Sequence, residues 1–123
     1  MTASRLHRAG LPRVERLRVQ ADFQRLFRRG VRLEREAFVV LCMPAAGPRA
    51  AGFAVSRRLG GSVVRNRARR RLREAYRHQK HAVPESGLRL CFVARRAAVD
   101  LPFPVLLSEV AEALRDAARR LAT

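Results

Sequence analysis

The stretch VVRNRARRRLREAYR, Val63 to Arg77, decides the fold because seven arginines and a regular apolar stripe share the same fifteen residues. A glycine pair interrupts the chain before it, Ser62 can cap a helix, and no proline follows until Pro84. The stretch therefore predicts a helix from about Val63 to Gln79.

The two faces of this predicted helix differ in chemistry. At about 3.6 residues per turn, one side gathers Val64, Ala68, Leu72, Ala75 and Tyr76, and we expect it to face a sheet. The opposite side is cationic: it presents Asn66, Arg70, Arg73 and Arg77, flanked by Arg65, Arg67, Arg69 and Arg71. A solvated surface is the alternative interpretation. Only Glu74 can neutralise these charges locally, so like charges repel at helical spacing and a polyanionic partner is expected.

The composition of the whole chain favours the same kind of partner. Among 123 residues, 27 are basic and 10 acidic, which gives a net charge of +17 at pH 7 and points to nucleic acid. Lys80 is the only lysine. The guanidinium group of arginine binds phosphate well, which favours RNA as the partner. A GC-rich genome also replaces lysine codons by arginine codons, so the preference for arginine has this second explanation. Charge alone leaves duplex DNA, structured RNA and anionic lipid open, but lipid would require the apolar helix face that the core needs.

The remaining patterns predict one α+β domain over residues 16–123. Phe23, Leu26 and Phe27 form an amphipathic stripe that ends at Gly30. Strands are predicted at Val31–Glu34, Ala37–Met43, Ala50–Ser56 and Leu88–Arg95, the second and third as antiparallel neighbours joined by a loop. A helical stripe from Phe103 to Leu121 predicts a long C-terminal helix. The helices should cover part of a small sheet.

Residues 1–15 are arginine-rich and lack the apolar segment of a secretory signal, so a flexible basic arm is expected, with a transit peptide as the alternative. No apolar run has the length of a membrane span. Cys42 and Cys91 each lie in an apolar run without C-x-x-C spacing, which predicts buried thiols in a cytoplasmic protein.

The residue pattern argues against an active site within the chain. Two-metal nucleases need clustered carboxylates, whereas Glu109, Glu112 and Asp116 fall on the outer side of the last helix. His78 and His81 lie near a helix end without a further ligand nearby. We therefore predict neither a catalytic residue nor a metal site in the protein, and no obligate protein partner.

The segment RNRARRRLREAYR, preceded by GFAVSRRLGGSVV, resembles the RNR signature of the protein subunit of bacterial ribonuclease P. The upstream RL…ADFQRLFRRG, Arg16 to Gly30, is similar to that family's first helix, and the resemblance extends to Ala118. It implies the order αβββαβα, with three helices on a small mixed four-stranded sheet. It also implies a left-handed βαβ crossover, as in a ribosomal-protein-like split β-α-β module, whereas right-handed crossovers are the general rule.

The resemblance also implies an accessory role in an enzyme that matures the 5′ end of tRNA. In the family, the RNA subunit carries the catalytic centre and holds most of the Mg2+, while the protein binds that RNA and the 5′ leader of precursor tRNA. The residues implied to contact the RNA subunit are Arg57, Arg58, Arg65, Asn66, Arg67, Arg70 and Arg73.

The leader cleft is implied to be lined by Phe23, Phe27 and Phe38. The spacing of Phe23 and Phe27 fits ordinary core residues as well. The main alternative function is a ribosomal or ribosome-assembly RNA-binding protein without a role in tRNA cleavage, and a DNA-binding architectural protein comes third.

Overall fold

A computed structural model describes residues 20–121, with side chains from Phe23 onward, and the predicted basic arm lies outside these residues. The described residues form one mixed sheet of four strands, which are β1 (Val31–Glu34), β2 (Phe38–Pro48), β3 (Ala50–Ala54) and β4 (Ser86–Ala94). Their order across the sheet is β1-β2-β4-β3. The β2 strand is antiparallel to both β1 and β4, whereas β3 is parallel to β4.

The prediction that the second and third strands are neighbours is wrong, because β4 lies between them. Phe92 in β4 is aligned with Val40 of β2 on one side and with Phe53 of β3 on the other. Between β2 and β3 the chain passes the start of β4. There the Arg49 amide donates to the Glu85 carbonyl at 2.9 Å. The physical reason is that β4 is apolar on both faces, and a strand of this kind is favoured at the centre of a sheet.

Four helices accompany the sheet within residues 20–121, which are α1 (Gln20–Arg29), α2 (Ser62–Gln79), α3 (Ala97–Asp100) and α4 (Phe103–Leu121). The prediction of three helices missed α3, whose four residues are too few to show a period. The predicted cap is also wrong, since Gly61 is the N-cap of α2 and Ser62 is the first helical residue. The α2 helix connects the parallel strands β3 and β4 as a βαβ unit. The left hand of that crossover stays a prediction.

The predicted apolar face of α2 is confirmed, and it packs with α4 on one face of the sheet. Ala68, Leu72, Ala75 and Tyr76 are fully buried there. The Tyr76 ring lies 5.8 Å from the Phe92 ring, centroid to centroid. The α1 helix contributes Leu26 to a smaller cluster on the opposite face of the sheet, with Val39, Leu41 and Cys91. The two faces of the sheet therefore carry different helices.

A buried cation holds the far end of α2. Arg49 is 6% exposed, and its Nη1 atom lies 3.3 Å from the carbonyl oxygens of Lys80, Val83 and Pro84. These carbonyls belong to a 3-10 turn, Lys80–Ala82, and the two residues after it. Hydrogen bonds of this kind keep a buried guanidinium solvated by the backbone. They tie the C-terminal end of α2 to the start of β3.

The predicted burial of both cysteines is confirmed, and their side chains lie on opposite faces of the sheet. Cys42 belongs to the cluster under α2 and α4, whereas Cys91 belongs to the cluster under α1. Burial raises the pKa of the Cys42 thiol to about 11 and that of the Cys91 thiol to about 12. Both stay protonated near neutral pH, which makes them poor nucleophiles and metal ligands. No helix among the described residues is long and apolar enough to cross a membrane.

Candidate nucleic-acid interface

The outer face of α2 carries cations that no carboxylate of residues 20–121 neutralises. Arg70 and Asn66 are exposed and Arg65 is half-buried. Arg69 Nη1 donates to Asn66 Oδ1 at 2.8 Å, so the asparagine orients a neighbouring guanidinium. Arg65 and Arg70 form no ion pair with a carboxylate of residues 20–121. These two guanidinium groups are therefore available to an external anion.

A short turn extends this cationic surface at the start of α2. Arg57 and Arg58 lie exposed in a 3-10 turn, Arg57–Leu59. The Arg58 amide donates to the Ser56 hydroxyl oxygen at 3.1 Å. Arg96 Nη1 donates to the Leu59 carbonyl at 3.1 Å and anchors the turn from below. We call Arg57, Arg58, Arg65, Asn66 and Arg70 the α2 cationic face. Its members are carried by hydrogen-bonded elements and not by a loose tail.

Two other arginines of α2 serve the scaffold. Arg71 Nη1 donates to the Val99 carbonyl at 2.6 Å, and its Nη2 donates to the Leu101 carbonyl. Arg67 Nε donates to the same Val99 carbonyl at 3.4 Å. Burial lowers the pKa of Arg71 from its usual range. The structure thus places Arg67, a predicted RNA contact, beside the end of α3, where the residue stays exposed although its Nε atom is bonded.

Replacing Arg71 with alanine should lower the free energy of unfolding by about 1 to 2 kcal/mol, because two carbonyls lose a charged donor at a half-buried position. Urea denaturation would measure the change. Arg69→Ala is the matched control, since the one partner of Arg69 within residues 20–121 is the exposed amide of Asn66 on its own helix. We expect a change within about 0.5 kcal/mol. Equal effects of the two substitutions would contradict a scaffold role for Arg71.

In the last turns of α2 the basic side chains are partly neutralised by a carboxylate. Glu74 Oε2 lies 2.5 Å from Arg77 Nη2 and 3.1 Å from His78 Nε2. The hydrogen bond from Arg77 lowers the pKa of the Glu74 carboxyl, against a smaller opposing effect of burial. On the side next to the sheet, the guanidinium carbon of Arg73 lies 5.6 Å from the centroid of the Phe53 ring. The predicted RNA contact Arg73 thus lies against an aromatic side chain of β3.

A second surface is centred on the aromatic pair of α1. The Phe23 and Phe27 rings meet edge to face with centroids 4.6 Å apart. Phe27 is 50% exposed, whereas Phe23 packs partly against the cluster under α1. Arg28 and Arg29 follow Phe27 directly in the chain and are exposed in the last turn of the helix. The sequence interpretation missed these two arginines, although LFRRG displays them beside the aromatic residue.

The structure places Phe38 away from this pair, so the prediction that it lines the same surface is wrong. Its ring is fully buried under α2 and α4 and lies 5.3 Å from the Phe92 ring. Successive side chains of a strand point to opposite faces, so Val39 and Leu41 face α1 and Phe38 does not. The start of β2 is apolar and buried on both faces, so its sequence carried no signal of which face Phe38 would take.

Residues 20–121 bring no three His, Cys, Asp or Glu side chains together in a way that could hold a metal ion. The side chains that the two surfaces do present are guanidinium groups and an exposed aromatic ring. Guanidinium groups bind phosphate oxygens, and exposed aromatic rings stack on unpaired bases.

The fold and its two surfaces define a class, a small basic α+β domain with a helix-borne arginine array and a separate exposed aromatic ring. The family model for ribonuclease P matches residues 11–118, and the chain belongs to that family. This confirms the resemblance of Arg16 to Ala118. Membership associates the chain with an RNA-cleaving enzyme complex and with tRNA processing.

Curated relatives and solved structures agree with this assignment. The ribonuclease P protein component of Symbiobacterium thermophilum is 43% identical over 99 residues, which cover 79% of this chain and 85% of that protein. That of Desulfovibrio desulfuricans is 39% identical over 116 residues, covering 90% and 88%. The RNase P protein of Thermotoga maritima superposes with a TM-score of 0.73 at 28% identity, covering 83% of this chain and 96% of that one. For the Staphylococcus aureus RNase P protein, the TM-score is 0.69 at 27% identity, with coverages of 84% and 94%.

Proposed function

We propose that this chain binds the RNA subunit of ribonuclease P through the α2 cationic face and binds the 5′ leader of precursor tRNA through the α1 surface. It thereby assists the endonucleolytic removal of the leader that gives the mature 5′ end. The observation that carries the proposal is the set of guanidinium groups that are left without carboxylate partners, among the described residues, on a helix fixed over the core.

Guanidinium groups carried on a fixed helix suit a folded RNA. Arg65 and Arg70 are five residues apart on one helix, so phosphates at fixed positions can meet them without reordering the chain. Such contacts give affinity and register without reading bases. Arg57 and Arg58 extend the same contact to the turn before α2, while Arg73 contributes from beside Phe53. Arg67 can contribute charge, but its Nε atom is engaged with Val99.

The leader is expected at α1 because that surface combines an open ring with nearby cations. Stacking on Phe27 tolerates any base, since every base has a flat face. Tolerance matters for a leader that varies in sequence between precursors. Arg28 and Arg29 would attract the leader's phosphates. In this arrangement the RNA subunit and the 5′ leader bind on opposite sides of the sheet.

In this proposal the catalytic centre belongs to the RNA subunit, which also holds most of the Mg2+. The residues of this chain supply docking and orientation. Close approach of RNA phosphates needs neutralisation, and a protein of net charge +17 supplies part of it. The need for Mg2+ should therefore fall when the protein is present.

The test mixes the purified chain with a ribonuclease P RNA and a precursor tRNA at low Mg2+ and measures release of the 5′ leader. We expect the protein to stimulate cleavage at the mature 5′ end. Co-sedimentation with ribosomal subunits and no effect on cleavage would support the ribosomal alternative instead. Affinity for duplex DNA equal to that for structured RNA would favour an architectural protein.

A further inference from the structure

A groove of about 320 Å3 opens between α2 and the start of α4. Its lining residues are Arg70, Arg71, Arg73, Glu74 and Phe103. The surface of the groove is mostly apolar, and three of its five lining residues are arginines. The groove thus combines a flat apolar surface with positive charge.

The ring in this groove is held in place. Phe103 packs against the main core cluster and is only partly exposed. The guanidinium carbon of Arg71 lies 6.0 Å from the centroid of the ring, and that guanidinium is fixed by the Val99 and Leu101 carbonyls. The His78 ring lies 6.5 Å away at 73°. A preformed aromatic surface of this kind loses little conformational entropy when it binds a ligand.

The charges around the groove favour an anionic ligand. Glu74 is its only carboxylate, and that group is already paired with Arg77 and His78. Arg70 is exposed at the rim and has no carboxylate partner within residues 20–121. An occupant with a flat apolar face and a negative group attached to it matches both properties.

We propose that this groove binds one unpaired nucleotide of the RNA subunit, whose base stacks on Phe103 and whose phosphate meets Arg70. The inference rests on the proposed function and deepens it. RNA folds expose unpaired bases that proteins bind by stacking on aromatic rings. The groove adjoins the α2 cationic face, whereas Phe27 lies on α1, which packs on the opposite face of the sheet. The RNA subunit is therefore its ligand, and the leader is not.

Phe103→Leu tests the stacking, because leucine keeps an apolar side chain in the core contact but has no flat ring. We expect its affinity for ribonuclease P RNA to fall about 5- to 150-fold, with an unchanged salt dependence because no phosphate contact is lost. Phe103→Tyr should bind within about twofold of the original chain. Val105→Ala is the matched control, since Val105 is 43% exposed in the same turn but does not line the groove.

A fluorescence measurement tests the same contact without the leucine substitution, which could disturb the packing of the core. The chain has no tryptophan, so Phe103→Trp places a single reporter in the groove. Its emission should be quenched when ribonuclease P RNA binds and should stay unchanged when leader RNA alone is added. Unquenched emission with saturating ribonuclease P RNA, or unaltered affinity of Phe103→Leu, would overturn the proposal. Loss of affinity confined to precursor tRNA would overturn the choice of RNA.

The outcomes separate this inference from the proposed function. If the original chain does not bind ribonuclease P RNA, the proposed function fails. If the original chain binds and stimulates cleavage while Phe103→Leu keeps its affinity and Phe103→Trp stays unquenched, only the groove assignment fails.

Discussion

Replacing Arg65 and Arg70 together with alanine is expected to weaken binding to ribonuclease P RNA by about 10- to 30-fold at about 0.15 M salt. Each lost phosphate contact removes roughly 0.7 to 0.9 from the slope of log affinity against log salt, so the slope should flatten by about 1.4 to 1.8. Titrations over a range of salt concentrations measure both quantities. The loss should shrink as salt rises, because counterion release is its source.

The choice of residues follows from the structure. Arg67 would have been an equal candidate from sequence, but it donates to the Val99 carbonyl, and its removal would mix a change in stability with a change in binding. The control is the double variant Arg115→Ala with Arg119→Ala. Both arginines are exposed on α4, and their replacement lowers the net charge by the same amount. We expect their slope to match the original chain. Equal flattening in both double variants would mean that net charge alone governs the affinity, contrary to the proposal.

Replacing Phe27 with alanine is expected to weaken binding of precursor tRNA to the reconstituted complex by about 5- to 150-fold, with little effect on mature tRNA. The ring is 50% exposed, so its loss removes a stacking surface and little core. Affinities for the two tRNAs, measured side by side, give the ratio. The melting temperature should change little for the same reason.

The other two aromatic residues supply controls for this experiment. Phe38→Ala removes a fully buried ring and should cost about 3 to 5 kcal/mol of stability without acting on the leader directly. Phe23→Ala should give a smaller loss of stability, because that ring packs partly on the cluster under α1. Equal losses for precursor and mature tRNA with Phe27→Ala, together with a lower melting temperature, would assign Phe27 to the core.

The candidate site could be predicted only in part, and α2 shows why. Its end at Gln79 and its buried face were predicted from local signals in the sequence, and the structure confirms both, with the start one residue earlier than predicted. The division of its arginines did not follow, because the sequence cannot show that α3 ends beside Arg67 and Arg71. The carbonyls that those residues bind lie about thirty residues later in the chain. Distant backbone groups therefore decide which guanidinium groups stay available.

The sequence by itself determined the α+β class, the strands β1 and β4 and the long final helix, since each depends on contacts between near neighbours in the chain. Only the tertiary structure decided that β4 separates β2 from β3 and that Phe38 lies under α2 and α4. It also decided that Phe103 lines a groove beside the arginines of α2. The physical reason is that strand order and the assignment of sheet faces are set by burying both sides of β4 at once. That requirement joins residues far apart in the chain and leaves no local pattern.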